Sequence, residues 1–186
     1  MFLEAKNALV FKKGNETLMI EPWGANSFRV RSTMEPNFID RDWALTEKIN
    51  HGNAKISVKE QGASIVNGKI EAKLNNNGII TVYKDGEKIL HEYHRSYDPS
   101  ATKESCCTKV INRQWQGIIG GDYKLSVRFE SNDSEKIFGM GQYQTPYLDM
   151  KGCFLELAQR NSQISIPFAV SNLGYGFLWN NPAVGH

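Results

Sequence analysis

Lys69-Ile-Glu-Ala-Lys-Leu74, then Asn75-Asn-Asn-Gly78, Ile79-Ile-Thr-Val-Tyr83, Asp85-Gly86 and Lys88-Ile-Leu90, form the part of the chain with the plainest local pattern. Ile70, Ala72 and Leu74 alternate with Glu71 and Lys73. A two-residue period sends successive side chains to opposite faces, so the segment is predicted to be a half-buried strand. Asn75 to Gly78 supplies a turn, because Asn and Gly accept the positive φ that a tight reversal needs. Asp85-Gly86 between two apolar runs is a strong two-residue hairpin signal. Three strands joined by two short turns make a meander.

The same rhythm extends both ways. Upstream, Ala8-Leu-Val-Phe-Lys12 and Thr17-Leu-Met-Ile-Glu21 flank Gly14-Asn15, and Ser27 to Ser32 alternates Phe28 and Val30 with Arg29 and Arg31. Ile56-Ser-Val58 restarts the strand pattern after an irregular stretch, 34–54, in which Asp40 to Lys48 has room for one or two helical turns. Downstream, residues 94–110 read as a polar exposed loop. Trp115 to Ile119 and Tyr123 to Phe129 then flank Gly120-Gly121, with Tyr123, Leu125, Val127 and Phe129 expected inward. About a dozen short strands without a long amphipathic helix predict an all-β antiparallel sandwich with few short helical turns.

Composition bounds the function. Hydrophobic residues make up 40% and charged residues 23%, ordinary for a globular domain. Net charge is +2 with the signs interspersed, so no nucleic-acid footprint is expected. Met1-Phe-Leu-Glu-Ala-Lys-Asn7 lacks a signal-peptide core, and no run reaches transmembrane length. The expected setting is cytoplasmic, with no membrane partner. Cys106 and Cys107 are adjacent, a poor geometry for a bridge, and Cys153 reads as a small buried hydrophobe.

Sites that invite chemistry have plain alternatives. His91-Glu-Tyr-His94 has a spacing of three in strand context, which sends the two rings to opposite faces, so no metal is expected. Gly117 to Gly121 lacks the Lys-Ser/Thr pair of a phosphate loop and reads as a bent hairpin. Gly139-Met-Gly141 precedes strand, not helix, and is expected to form a bulge or a close backbone approach. Asp149 reads as a turn residue and Glu156 as solvent-facing, so no catalytic carboxylate pair is identified. No cofactor is expected.

The tail carries the most specific signal. Phe138-Gly-Met-Gly-Gln142, the Arg160-Asn161 loop, Ile166-Pro-Phe168 and Gly174-Tyr-Gly-Phe-Leu-Trp-Asn-Asn-Pro182 resemble the end of the N-terminal β-sandwich domain of glycoside hydrolase family 31, the α-glucosidases and α-xylosidases. Pro22-Trp-Gly with Phe28-Arg-Val-Arg31, and Asp85 to Glu92, resemble earlier structural elements of the same domain. The resemblance implies a galactose-mutarotase-like super-sandwich. Residues 1–186 are then expected to be one N-terminal domain that ends before a catalytic (β/α)8 barrel. It also implies retaining hydrolysis of α-glucosides or α-xylosides by the parent, with this domain non-catalytic. The expected partners are the glycoside substrate, through the full-length enzyme, and the barrel itself.

In that family a loop of this domain reaches the −1 sugar and often carries Arg-Asp. The matching segment lies between two apolar strand-like runs, 148–157 and 164 onward, and implies Gln159, Arg160 and Asn161 as substrate-binding residues. Here an amide replaces the carboxylate at Asn161, and it still donates and accepts hydrogen bonds. The alternative is a freestanding carbohydrate-binding module, with Trp23, Trp43, Trp115 and Trp179 as platform candidates, although each sits in an apolar context that reads as core. Phe177, Trp179, Pro182 and Val184 predict an apolar patch and self-association of the isolated domain.

Overall fold

The computed structural model describes residues 1–39, 54–96 and 109–186. The expected helical turn at 40–48, Trp43, Cys106, Cys107 and most of the 94–110 loop lie outside these residues. Among the described residues there are fourteen strands, antiparallel in every pairing, and no helix. The described residues divide into two compact units, one running to Glu130 and one comprising Ser131–His186.

The first unit is a sandwich of two meanders. Strands β1 (Phe2–Ala5), β2 (Ala8–Lys13), β3 (Glu16–Pro22) and β4 (Phe28–Thr33) form one sheet in sequence order. Strands β5 (Lys55–Lys59), β6 (Gly62–Asn67), β7 (Ile70–Asn75), β8 (Ile80–Lys84) and β9 (Glu87–His91) form the other. A separate hairpin pairs β10 (Arg113–Gly117) with β11 (Tyr123–Val127).

The turns follow from local chemistry. Asp85 (φ 50°) and Gly86 (φ 87°) both take positive φ between paired Lys84 and Glu87, as a two-residue hairpin requires. Asn75 Oδ1 accepts from the amides of Asn77 and Ile79, closing the Asn75–Gly78 turn. The two sheets bury Leu9, Phe11, Leu18 and Ile20 against Ala63, Ile65, Ala72, Leu74 and Ile80. Each fully buried large side chain contributes about 1.5–3 kcal/mol, so this seam is the main source of cohesion. Ala72 and Leu74 are buried in the core as their alternation predicts, whereas Ile70 at the start of β7 is half-buried and outside the core cluster. Tyr123 does not point inward as expected: it is exposed, edge-on to Trp115.

A polar knot is sealed in the same unit. Glu92 is 2% exposed. Its carboxylate accepts from Arg113 Nη1, from Asn112 Nδ2 (2.7 Å) and from the amide of Ile80 (2.8 Å). Arg113 also donates through Nε to Glu16 Oε1 and through Nη2 to the carbonyl of Gly78, both at 2.7 Å. The charges are buried but none lacks a partner, the condition for tolerating them there. Burial alone would lower the guanidinium pKa, but Glu92 and Glu16 overcome it and hold the value above the ordinary one.

The second unit centres on β12 (Ile137–Gln142), β13 (Ile164–Ser171) and β14 (Tyr175–Leu178), with β13 in the middle. The expected bulge is present. Gly139 pairs with Ala169 and Gly141 with Ser165, so Met140 alone faces Ile166, Pro167 and Phe168. Proline lacks the amide that a regular central strand must donate. Pro167 lies where β14's pairing ends: its carbonyl accepts from the Trp179 amide, and the Trp179 carbonyl takes the Asn181 amide instead. Gly139 (φ 92°) immediately precedes the bulge, where a Cβ would stand 2.6 Å from the Phe168 carbonyl oxygen. The first apolar run, 148–157, departs from its strand expectation. Asp149 Oδ1 turns the chain by accepting from the amides of Ile137 and Lys151, and Gly152 continues the turn at φ 79°. Cys153 is half-buried there.

Candidate functional site

Gln159, Arg160 and Asn161 lie together, as the sequence places them, on a short loop that ends in a tight turn. Arg160 and Gln163 form an isolated antiparallel bridge, with Asn161 and Ser162 between them. The amide of Gln163 donates to the carbonyl of Arg160 at 3.2 Å. Ser162 takes φ 65°, the left-handed conformation that a turn of this size demands of one residue. Asn161 is exposed at the tip.

The three side chains have different employments. Gln159 is committed to the loop: its Nε2 donates to the Ser165 carbonyl (2.7 Å) and its Oε1 accepts from the Ser165 amide (3.1 Å). Both ends of its amide therefore bind one residue of β13 and close a small ring. Arg160 pairs with Glu156 four residues back, and both side chains are well exposed. Tyr143 braces the loop from β12's end, its hydroxyl lying 2.8 Å from Ser165 Oγ and 3.2 Å from the Glu156 carbonyl. The tip is thus held from below while Arg160 and Asn161 remain open to a ligand. A neutral amide beside a guanidinium supplies donors and acceptors suited to vicinal hydroxyls.

The structure also shows a carboxylate that the sequence reading overlooked. Glu135 is 8% exposed and accepts from Ser171 Oγ (2.5 Å) and from the Tyr175 hydroxyl (2.6 Å). Burial, followed by this neighbouring carboxylate, pushes the Tyr175 phenol well above its ordinary value. The arrangement fastens Ser171 at the end of β13 to the start of β14. Glu135, like Glu92, is enclosed by its partners. Asp149 is a turn residue as expected, its carboxyl held below the ordinary range by the amides of Ile137 and Lys151.

The histidine pair is divided. His91 Nδ1 lies 2.7 Å from Thr81 Oγ1, whereas His94 Nδ1 is sealed from solvent without a hydrogen-bond partner. Among the described residues no three His, Cys, Asp or Glu side chains gather as metal ligands would. The tryptophans make no common platform. Trp23 lies under Arg29, Trp115 meets Tyr123, and Trp179 stacks on Phe177. These three are half-buried and none belongs to the core cluster expected of them.

Comparison with known proteins gives a consistent result. Residues 17–186 match the family described as the glycosyl hydrolase 31 N-terminal galactose mutarotase-like domain. An uncharacterized family 31 glucosidase of Pseudescherichia vulneris is 43% identical over 98% of this chain, which spans 36% of that protein. Alpha-xylosidase A of Aspergillus niger is 28% identical over 99% of the chain, which spans 26% of it. Among solved structures, a GH31 alpha-xylosidase from a soil metagenome, complexed with xylose, superposes with a TM-score of 0.93. It is 43% identical over 100% of this chain and 28% of its own. The chain thus spans about a third or less of the length of these relatives.

Proposed function

The chain belongs to the glycosyl hydrolase 31 N-terminal galactose mutarotase-like domain family, and on that footing we propose that it is the non-catalytic N-terminal domain of a retaining α-glycosidase. The parent cleaves terminal α-xylosides or α-glucosides. One carboxylate elsewhere in the parent attacks the anomeric carbon, and a second serves as acid and then as base. The single domain of residues 1–186 supports the catalytic barrel and lends the Arg160–Asn161 turn to the substrate.

The observation that carries the reading is the family match across 170 residues, joined by 43% identity to a family 31 glucosidase. The loop geometry supports the finer part. Gln159 and Tyr143 hold the turn in place, and a site placed on a braced loop keeps the precision that binding requires. Gln159 serves as a positioning residue and Arg160 and Asn161 as the contacting ones. Among the described residues Glu92 and Glu135 are the most enclosed carboxylates; Glu92 spends both oxygens and Glu135 its Oε1 on structural partners, which supports a domain without catalytic acids.

The test is direct. The full-length parent is incubated with aryl α-xylosides and aryl α-glucosides, and product configuration is followed by NMR. Release of the α-anomer first is expected, with no turnover by residues 1–186 alone. Inactivity of the parent on both substrates, or turnover by the 186-residue chain that depends on one of its acids, overturns the reading.

A further inference from the structure

Strand β13 is amphipathic with its polarity reversed. Ile164, Ile166, Phe168 and Val170 occupy one face and are 53%, 52%, 41% and 41% exposed. Ser165, Pro167, Ala169 and Ser171 occupy the other, where both serines are buried. A sheet with one wet face normally turns its polar residues to the water. Here the small and hydroxylated residues are enclosed and the large apolar ones are left outside.

The reversal is fixed by hydrogen bonds and is not a register accident. Ser165 is held by Gln159 through its backbone and by Tyr143 through its hydroxyl. Ser171 donates to Glu135, and its oxygen accepts from the Leu173 amide. Slipping the strand by one residue to hide the apolar set would break both anchors. The apolar face also continues across the sheet. Leu178 of β14 pairs with Phe168 and is 42% exposed. Opposite Ile164 stands Gln142, and opposite Val170 stand Phe138 and Gly176, so the cross-strand neighbours add no charge. A contiguous apolar patch on an ordered sheet marks an interaction surface.

We infer that the Ile164–Ile166–Phe168–Val170 face, extended by Leu178, is the docking surface for an apolar face of the remaining polypeptide of the parent glycosidase. The inference rests on the proposed placement of this chain within a longer enzyme. The chain spans 36% of its Pseudescherichia relative and 28% of the soil-metagenome xylosidase, so each has ample further chain to cover such a face. An uncharged apolar surface selects an equally apolar covering element, and it sits on the strand that anchors the Arg160–Asn161 turn. Docking there would fix the turn relative to the rest of the enzyme.

The experiment uses the full-length parent. Ile166→Cys and Val170→Cys variants are labelled under native conditions with a maleimide, beside Glu87→Cys at an exposed hairpin as the reference. Peptide mapping counts these sites apart from Cys106, Cys107 and Cys153. Labelling at 166 and 170 is expected to be at least about tenfold slower than at 87, because it waits for local opening, and to equalise in urea. Labelling at the reference rate overturns the inference. Protection that vanishes on dilution, together with a dissociating oligomer in sedimentation, assigns the face to a second copy and also overturns it. Hydroxyl-radical footprinting of the unsubstituted parent gives a variant-free reading at Phe168 and Leu178, where low oxidation is expected and high oxidation refutes. The two proposals fail separately. Protected cysteines in a parent inactive on both glycosides sink the functional reading alone, and free labelling in an active parent sinks this one alone.

Discussion

Arg113 Nη1 stands 2.5 Å from each carboxylate oxygen of Glu92, and the two side chains are 5% and 2% exposed. Removing the cation leaves a carboxylate sealed away from water. Arg113→Ala should therefore cost about 3–5 kcal/mol, the range for breaking a buried pair from one side. Arg113→Lys should recover only part of this, because one ammonium cannot span Glu92, Glu16 and the Gly78 carbonyl as the planar fork does. Urea denaturation of the three proteins checks this. A loss below about 1 kcal/mol for the alanine variant, the scale of an ordinary exposed pair, would show that water reaches the site.

The bulge opposite Pro167 predicts strict intolerance at Gly139. A Cβ there meets the Phe168 carbonyl at 2.6 Å, and the backbone holds φ 92°. Gly139→Ala should destabilise the second unit by about 1–3 kcal/mol or more, from strain in a sparsely populated conformation. Thermal melts of that variant beside Gly86→Ala separate strain from contact, since Gly86 also takes positive φ but has nothing within 4 Å of its Cβ position. Equal losses in both would mean that conformation alone sets the cost.

Gln159 and Asn161 should separate in mutant kinetics of the parent. Asn161→Ala removes an exposed amide, so stability should stay within about ±0.5 kcal/mol. Its loss of hydrogen bonds to neutral sugar groups, about 0.5–1.5 kcal/mol, corresponds to a fall in kcat/KM of roughly two- to tenfold. Gln159→Ala releases the Ser165 backbone and should lower both the melting temperature and kcat/KM. Steady-state kinetics beside melts decide the matter. A variant at Asn161 that leaves kcat/KM unchanged would make the turn a spectator.

His94 gives a pH prediction. Burial of the ring, then the positive charges of Lys13 and Lys109, hold its pKa below the ordinary 6.5. The unfolded chain thus takes up this proton first as pH falls. The fold keeps the full contribution of neutral His94 above pH 6.5 and loses it as pH drops from 6.5 towards the lowered value. His94→Gln should flatten that part of the curve. Urea midpoints measured between about pH 5 and 8, the span over which histidine charge changes, test it, and an unchanged slope refutes it.

Much of the architecture was legible because its signals are local. Asp85-Gly86 and Asn75 to Gly78 announce their turns within four residues, and Ile70, Ala72 and Leu74 announce their face. Strand β1 went unread because Phe2–Ala5 is too short to show a period. Strand β6 went unread because Gly62-Ala-Ser mixes small residues with little contrast. The 148–157 run misled because its alternation is real while Asp149 and Gly152 bend it. In the loop, the position of Arg160 and Asn161 was readable from resemblance, but the employment of Gln159 was not. It depends on Ser165 lying beyond the end of β14's pairing with β13, which stops at Phe168 and leaves the Ser165 backbone to Gln159. Glu135 finds partners 36 and 40 residues away, and no short-range pattern marks such a pair.

Among the described residues every sheet pairs each strand with its neighbour in sequence. That arrangement has a kinetic consequence. Hairpins such as β7–β8 close loops of only a few residues, an event on the order of 1–10 μs. The Arg113 to Glu16 contact instead bridges 97 residues, and the Leu9 to Leu74 seam joins the two meanders. Distant contacts must meet the entropy of closing long loops before they return any stability, so they set the overall rate. The ribbons should form early and the buried charges should lock last. Pulsed hydrogen exchange during refolding would see this as protection of β7 and β8 amides ahead of those in β10, and the reverse order would place the knot in the nucleus.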